Sequence, residues 1–368
     1  MKSGGLKLIF HSGFGIIGRL LTYEKYAMNL KKAFTENYDW YLYNLSIGKD
    51  AQGKGIASKL MRPMLQFCDD EKMVAYLQNR EIFIFDGFAG ADEKYAKSFR
   101  IINELAEKKG KVARIALRIN PNVGAHTHSN ITTGLAENKF GINLEQIEGV
   151  IEQAIDLPHI DFEGVHFHIG SQILDMIDFV ALCNRVNELT ELFERRKYPI
   201  RSINVGGGLG IDYKQPDLHP VPDFRSYFDT YRQKLLLRPG QQLHFELGRA
   251  IMGQCGTLVS RVLYIKSNPI KNFCIVDAGM TDLIRPALYN AYHHIENLTA
   301  SDPGDFVTYD VVGPICESSD VFIKNYGMPR TSRGDLIAFR SAGAYGEIMA
   351  SGYNCRNLPI GYITEDLL

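Results

Sequence analysis

Strand-like and helix-like stretches alternate through the middle of the chain. Helical spacing predicts a helix over Ile101–Lys109, and apolar-rich segments predict strands at Val112–Ile119, Phe162–Ile169, Ser202–Val205 and Leu243–Leu247. Strands that alternate with helices favour parallel β-α-β units. Polar signatures begin where these strands end, and (β/α) barrels carry their functional groups at that edge. The sequence therefore predicts part of such a barrel over residues 111–252.

The pattern changes after Gly253. Short β segments separated by turns follow one another at Thr257–Ile265, Asn272–Val276, Phe306–Val312 and Asp335–Arg340. Because no long helical stretch intervenes, we expect a separate C-terminal β-domain over residues 253–368.

The first 80 residues have a different pattern. A strand is predicted over Trp40–Ile47 and a helix over Ser58–Phe67, with a glycine-rich turn between them. Free backbone N–H groups at such a turn, together with the helix dipole, suit a phosphate. The turn contains Gln52, Gly53, Gly55 and Ala57, and it resembles the acyl-CoA pyrophosphate loop of GNAT acetyltransferases. The resemblance implies a GNAT-like α/β fragment over residues 1–80 that binds CoA weakly. A loop that only lets a strand turn into a helix is the alternative.

Residues 81–110 are interpreted as a junction. The stretch Glu81–Tyr95 resembles a short surface segment of ATP-dependent phosphoenolpyruvate carboxykinase, and a strand followed by a turn is an equally good interpretation.

Composition and charge exclude several classes of protein. The formal net charge of −1 argues against nucleic-acid binding, and no apolar run approaches the ~20 residues that span a bilayer. The six cysteines form no CxxC pair, which is typical of a reduced, cytoplasmic protein. We predict no metal site.

Three motifs follow one another at intervals of about 40 residues: His168-Ile-Gly-Ser171, Gly206-Gly-Gly208 and Glu246-Leu-Gly-Arg249. Successive glycine N–H groups can close on a phosphate. In this order and spacing, the motifs resemble diaminopimelate decarboxylase, a pyridoxal 5′-phosphate (PLP) enzyme of the alanine-racemase-like fold. The resemblance extends from about residue 98 to about residue 357.

The resemblance implies a role for each of these motif residues. His168 would stack on the pyridine ring, and Glu246 would pair with the ring nitrogen. The phosphate contacts would be Ser171, Gly206, Gly207, Gly208, Arg249 and Tyr345. A carboxylate in the position of Glu246 keeps the ring nitrogen protonated, and the pyridinium is the electron sink of the reaction.

Substrate contacts are implied in the same way. Arg249, Arg285 and Tyr289 would bind the substrate carboxylate and the phosphate, because a guanidinium matches a carboxylate bidentately. Cys316 would protonate the carbanion, and Glu317 would bind the distal ammonium group. In the family one subunit lends this segment to its neighbour, so a homodimer is expected.

The implied reaction is the PLP-dependent decarboxylation of meso-2,6-diaminopimelate, an amino-acid substrate, to L-lysine. The family binds PLP covalently through a lysine in a stretch like Tyr-Ala-x-Lys-Ala-Asn, and this sequence contains no such stretch. We therefore expect non-covalent PLP, a partial barrel, and decarboxylase activity that is absent or very low. An acyl-CoA-dependent N-acetyltransferase and a non-catalytic hybrid are the alternatives.

Overall fold

The computed structural model describes residues 82–86, 92–124, 140–300 and 304–362. The described residues divide into two compact units. The first contains residues 82–210 and 223–248, and the second contains residues 211–222 and 249–362. The GNAT-like loop with Gln52, Gly53, Gly55 and Ala57 lies outside the described residues.

The first unit contains a parallel sheet whose strands lie side by side in chain order. The strands are β1 (Phe83–Phe85), β2 (Ala113–Arg118), β3 (Ile160–His166), β4 (Ser202–Asn204) and β5 (Gln242–His244). Helices connect successive strands: α1 (Asp92–Lys108), α2 (Ile147–Ile155), α3 (Met176–Arg196) and α4 (Phe224–Lys234). Because all five strands are parallel, their carboxyl ends meet at one edge of the sheet.

Local signals account for where α3 begins and ends. The Asp175 side chain accepts a hydrogen bond from the Ile177 N–H at 2.9 Å, which caps the first turn. Lys197 stops the helix in the left-handed conformation, with φ of 60°. Along the helix, Phe179, Leu182, Val186 and Phe193 recur at three- to seven-residue intervals and are buried in the core.

The second unit contains a sheet with strand order β10-β9-β7-β6-β11-β8. Its strands are β6 (Leu258–Ser267), β7 (Asn272–Val276), β8 (Ile295–Asn297), β9 (Phe306–Val312), β10 (Val321–Pro329) and β11 (Leu336–Phe339). Neighbours are antiparallel except β7 and β9. Two short helices, α5 (Arg249–Met252) and α6 (Arg285–Tyr289), belong to this unit. Its core includes Val276, Tyr309, Val311, Ile337 and Phe339.

The predicted fold class is confirmed: an α/β unit with a barrel-like sheet is followed by a C-terminal sheet domain. Several predicted strands were too long at the carboxyl end. Phe167 and Ile169 are buried but lie beyond the last residue of β3, because the chain leaves the ladder while its apolar side chains stay inside. The stretch Glu81–Tyr95 contains β1, which pairs with β2, so the strand interpretation of this stretch is correct.

Neither a membrane-spanning helix nor a metal-binding cluster is found in the described part of the chain. It contains no helix that is both long and apolar enough to cross a membrane. The same ranges hold no group of three or more His, Cys, Asp or Glu residues arranged to bind a metal ion.

Candidate active site

Polar side chains collect at the carboxyl edge of the parallel sheet. Asp86 follows β1, Arg118 ends β2, His166 ends β3, Asn204 ends β4 and Glu246 follows β5. The Arg118 Nη1 donates to Asp86 Oδ2 at 2.8 Å, and the Gly141 N–H donates to Asp86 Oδ1 at 3.1 Å. Each of the five strands therefore contributes one polar residue to this edge.

Glu246 is bonded to the residues that end β3 and β4. His166 Nε2 lies 3.2 Å from Oε2, and Asn204 Nδ2 donates to Oε1 at 3.0 Å, so both carboxylate oxygens are bonded. Burial alone would raise the pKa of Glu246, because it disfavours the charged form. The hydrogen bond and the charge of His166, together with the hydrogen bond from Asn204, outweigh burial. The pKa of Glu246 is lowered as a result. With 27% of its side chain exposed, this anion keeps one face open.

The bond to Glu246 also fixes the tautomer of His166. A carboxylate can only accept, so Nε2 carries the hydrogen. The buried Nδ1 has no hydrogen-bond partner among the described residues. A proton on Nδ1 would therefore be a buried donor without a partner among those residues.

His168 lies two residues beyond His166 in the chain and is uncharged. Desolvation by burial, with repulsion from His166 and Arg118, lowers the pKa of His168 to about 4. A neutral imidazole can pack on an aromatic ring that carries positive charge without repelling it.

The glycine turn is built for close backbone approach. Gly206 and Gly208 have φ values of 69° and 104°, which side chains rarely adopt. A Cβ on Gly207 would lie 2.1 Å from the Glu246 carbonyl oxygen. The segment after Ser171 runs beside this turn, since Ile173 N–H donates to the Gly208 carbonyl at 2.9 Å. The sheet edge thus holds a turn whose backbone is tightly fixed next to Glu246.

A cluster of two buried arginines forms a candidate anion site in the second unit. Arg249 is 6% exposed and Arg285 is 4% exposed. Arg249 Nη1 donates to the Tyr213 hydroxyl at 2.6 Å, and the Arg285 guanidinium lies 4.6 Å from the centre of the Tyr213 ring. The Tyr345 ring lies 4.8 Å from the Arg249 guanidinium. Tyr213 therefore contacts both cations of the cluster.

Arg285 has a neutral partner rather than a carboxylate. Its Nη1 lies 2.7 Å from Nε2 of His293, whose Nδ1 donates to the Arg340 carbonyl at 2.9 Å. Within the described residues Arg285 forms no ion pair, and its Nε has no hydrogen-bond partner. Burial, with repulsion from Arg249 among other causes, lowers the pKa of Arg285. Two buried cations with an unsatisfied donor suit a negatively charged ligand.

Asp320 fixes the loop that carries Cys316 and Glu317. Its carboxylate accepts from the Ile315 N–H at 2.7 Å and from the Met280 N–H at 2.6 Å. Cys316 and Glu317 are exposed. The Tyr353 hydroxyl donates to Glu317 Oε1 at 2.7 Å. The loop thus presents a thiol and a carboxylate on a rigid backbone.

The sequence-predicted site residues fall into two groups. His168, Ser171, Gly206, Gly207, Gly208 and Glu246 belong to the parallel-sheet unit, and Arg249, Arg285, Tyr289, Cys316, Glu317 and Tyr345 belong to the other unit. Sequence reasoning missed four residues that contact them: His166, Asn204, Tyr213 and His293. It also missed Arg118, whose charge acts on His168. The sequence signal available for His166 was its position, as a second histidine two residues before His168.

The residues of the sheet edge fit PLP. The ionised Glu246 suits a protonated ring nitrogen, His168 suits the ring face, and the glycine turn leaves no room for side chains. The profile of the family described as "Pyridoxal-dependent decarboxylase, C-terminal sheet domain" matches residues 31–343, which include part of the GNAT-like stretch. The chain belongs to this family of decarboxylases, whose cofactor is PLP.

Within this family, the chain is similar to several proteins named diaminopimelate decarboxylase. The chain is 63% identical over 268 residues to diaminopimelate decarboxylase of Bacteroides thetaiotaomicron, a match that covers 73% of this chain and 69% of that protein. It is 40% identical over 261 residues to the Aquifex aeolicus enzyme of the same name, covering 70% of this chain and 60% of that protein. The fold resembles diaminopimelate decarboxylase from Helicobacter pylori complexed with L-lysine, with a TM-score of 0.68, 30% identity, and coverage of 90% and 86% of the two chains.

Proposed function

We propose that this chain is a diaminopimelate decarboxylase, which removes CO₂ from meso-2,6-diaminopimelate to give L-lysine. Relatives of that name at 63% and 40% identity support the proposal, and so does the similar structure that contains L-lysine. The structural observation that supports the proposal most directly is Glu246, an ionised carboxylate that is bonded through both oxygens and open on one face.

Glu246 and His168 would hold the cofactor ring. Bound PLP supplies an electron sink for the pair released from the breaking bond. Glu246 would keep the proton on the ring nitrogen, and the low pKa of its carboxyl suits that task. His168 would pack against the ring as a neutral imidazole. The glycine turn and Ser171, with Arg249 and Tyr345, would hold the phosphate.

Arg285, Arg249 and Tyr289 would bind the substrate carboxylate. A buried guanidinium next to a second cation gains more from an anion than an exposed one does, because the local dielectric is low. Cys316 would donate its Sγ proton to the carbon that loses CO₂, and Glu317 would accept from the distal ammonium. Both side chains are exposed, which agrees with donation to the site of a second copy in a homodimer. We place the enzyme in the cytoplasm on the basis of its unpaired cysteines.

The test is L-lysine formation from meso-diaminopimelate by the full chain with added PLP. We expect Glu246→Gln and Cys316→Ala to lower turnover by about 10²-fold or more, the usual size of acid–base effects. Cys355→Ala is the matched control, because Cys355 is also an exposed free cysteine of the same unit. Absence of lysine in the wild type, or turnover that survives Glu246→Gln, would overturn the proposal.

A further inference from the structure

Asn204 connects two parts of the sheet edge that lie far apart in the chain. It is buried at the end of β4, and both ends of its amide form hydrogen bonds. Its Oδ1 accepts from the Gly206 N–H at 2.8 Å, and its Nδ2 donates to Glu246 Oε1 at 3.0 Å. One side chain thus bonds the glycine turn and the carboxylate that follows β5.

The amide orientation is determined by its two partners. A flipped amide would point Nδ2 at an N–H group and Oδ1 at a carboxylate, so both contacts would become repulsive. Only one orientation of Asn204 satisfies both Gly206 and Glu246. The side chain therefore has a single low-energy position.

The backbone closes this connection into a ring of hydrogen bonds. The Glu246 N–H donates to the Gly206 carbonyl at 2.7 Å, in addition to the two bonds of the Asn204 amide. In such a ring, a shift of the glycine turn moves the carboxylate, and the reverse also holds. A group that must contact both the turn and the carboxylate would meet them at a fixed separation.

We propose that Asn204 is a positioning residue, which sets the place of the Glu246 carboxylate relative to the glycine turn at Gly206–Gly208. The inference rests on the proposed function, because it assigns the turn to the cofactor phosphate and Glu246 to the ring nitrogen. It adds a residue outside the predicted motifs. Asn204 also shares Glu246 with His166, whose Nε2 lies 3.2 Å from Oε2.

Asn204→Asp is the variant that tests the positioning role of Asn204 most directly. Aspartate keeps an acceptor for the Gly206 N–H but replaces the donor to Glu246 with a negative charge, so the pKa of Glu246 should rise. Asn184→Asp is the matched control, since it makes the same change at an exposed position of α3 in the same unit. The ligands are PLP and its 1-deaza analogue, whose ring has CH in place of the nitrogen.

Binding of the two ligands, measured by fluorescence titration, is the first readout. In Asn204→Asp we expect the affinity for PLP to fall by about tenfold or more, the size of a lost hydrogen bond to a charged group. The affinity for the deaza analogue should change little, because that ring does not use Glu246. Equal losses for both ligands, or no loss for PLP, would overturn the proposal.

The second readout needs no cofactor, so it separates failure of this inference from failure of the proposed function. Protein labelled with ¹³C at the glutamate carboxyls is titrated by NMR, and Glu246→Gln identifies the Glu246 signal. We expect Asn204→Asp, but not Asn184→Asp, to raise the pKa of Glu246. An unchanged pKa of Glu246 in Asn204→Asp would contradict the inference. A raised pKa of Glu246 in Asn204→Asp, together with equal wild-type affinities for PLP and its analogue, would support the inference and refute the proposed function.

Discussion

Arg285 and His293 are joined by a hydrogen bond of 2.7 Å between two buried side chains, and the histidine is the acceptor. A guanidinium has only donors, and His293 Nδ1 is already used toward the Arg340 carbonyl. The neutral histidine therefore holds Arg285 in place without neutralising it, which leaves the positive charge available to an anion.

Replacing His293 by leucine should destabilise the second unit. The change leaves a buried donor of Arg285 without its acceptor, a loss of about 1–3 kcal/mol. Urea unfolding measures it, with His294→Leu as control because the neighbouring side chain is 31% exposed. Equal stability of the two variants would contradict the assigned role of the bond.

Acid should destabilise the protein through the same histidine. Burial, with repulsion from Arg285 and Arg249, lowers the pKa of His293 from 6.5 to about 4. Between these values the unfolded chain binds the proton and the folded chain does not, so stability is full above pH 6.5 and falls toward pH 4. From about pH 7 to about pH 5 this residue should account for a loss of about 2 kcal/mol. Urea unfolding at both pH values checks this, and His293→Gln should lack that part of the slope.

Tyr213→Phe should weaken substrate binding. The variant removes the hydroxyl that accepts from Arg249 at 2.6 Å but keeps the ring against Arg285. Because the lost bond involves a charged group, we expect KM for meso-diaminopimelate to rise by about tenfold. Tyr264→Phe, at an exposed tyrosine of the same unit, should leave KM unchanged. A KM unaffected by Tyr213→Phe would show that the hydroxyl does not position Arg249.

Gly207→Ala should disrupt the sheet edge. Its methyl group would lie 2.1 Å from the Glu246 carbonyl oxygen, so the backbone must shift. Overpacking of this kind costs about 1–3 kcal/mol, and PLP affinity should fall as well. Gly149→Ala is the control, because a Cβ there meets nothing within 4 Å and alanine favours the helix. Similar unfolding midpoints for the two variants would refute the steric argument.

Borohydride reduction followed by mass spectrometry tests the expectation of non-covalent PLP. The sequence has no stretch like Tyr-Ala-x-Lys-Ala-Asn. We therefore expect dialysis to remove bound PLP and reduction to leave no PLP-modified lysine peptide. Recovery of such a peptide would prove this expectation wrong and would identify the lysine.

The sequence predicted the strands and helices better than the contacts between them. Glu246 and His168 stand out because each lies in a motif that begins at the carboxyl end of a predicted strand. Asn204 and His166 lie inside predicted strands, where a polar residue is ordinary alternation. Their importance depends on pairing with Glu246, 42 residues beyond Asn204, and no local pattern encodes a contact over that distance.

Tyr213 shows the same limit in the second unit. It lies in a loop without a motif, and its hydroxyl meets Arg249 36 residues further along the chain. Its role also depends on burial of both arginines, which the residue types alone do not determine. Charged residues are usually exposed, so residue type alone would predict solvated arginines here, and only the resemblance assigned them a binding role.

The order of segments along the chain limits where this protein can exchange parts with its homologues. Tyr213 belongs to the short segment 211–222, which lies between two pieces of the parallel-sheet unit yet packs with Arg249 and Arg285. A recombination crossover between Tyr213 and Arg249 would bring together a tyrosine and arginines that had not evolved as partners. A crossover upstream of Phe83 would transfer the residues bonded to Glu246 and the arginine cluster together, with the described contacts inside each group inherited from one parent.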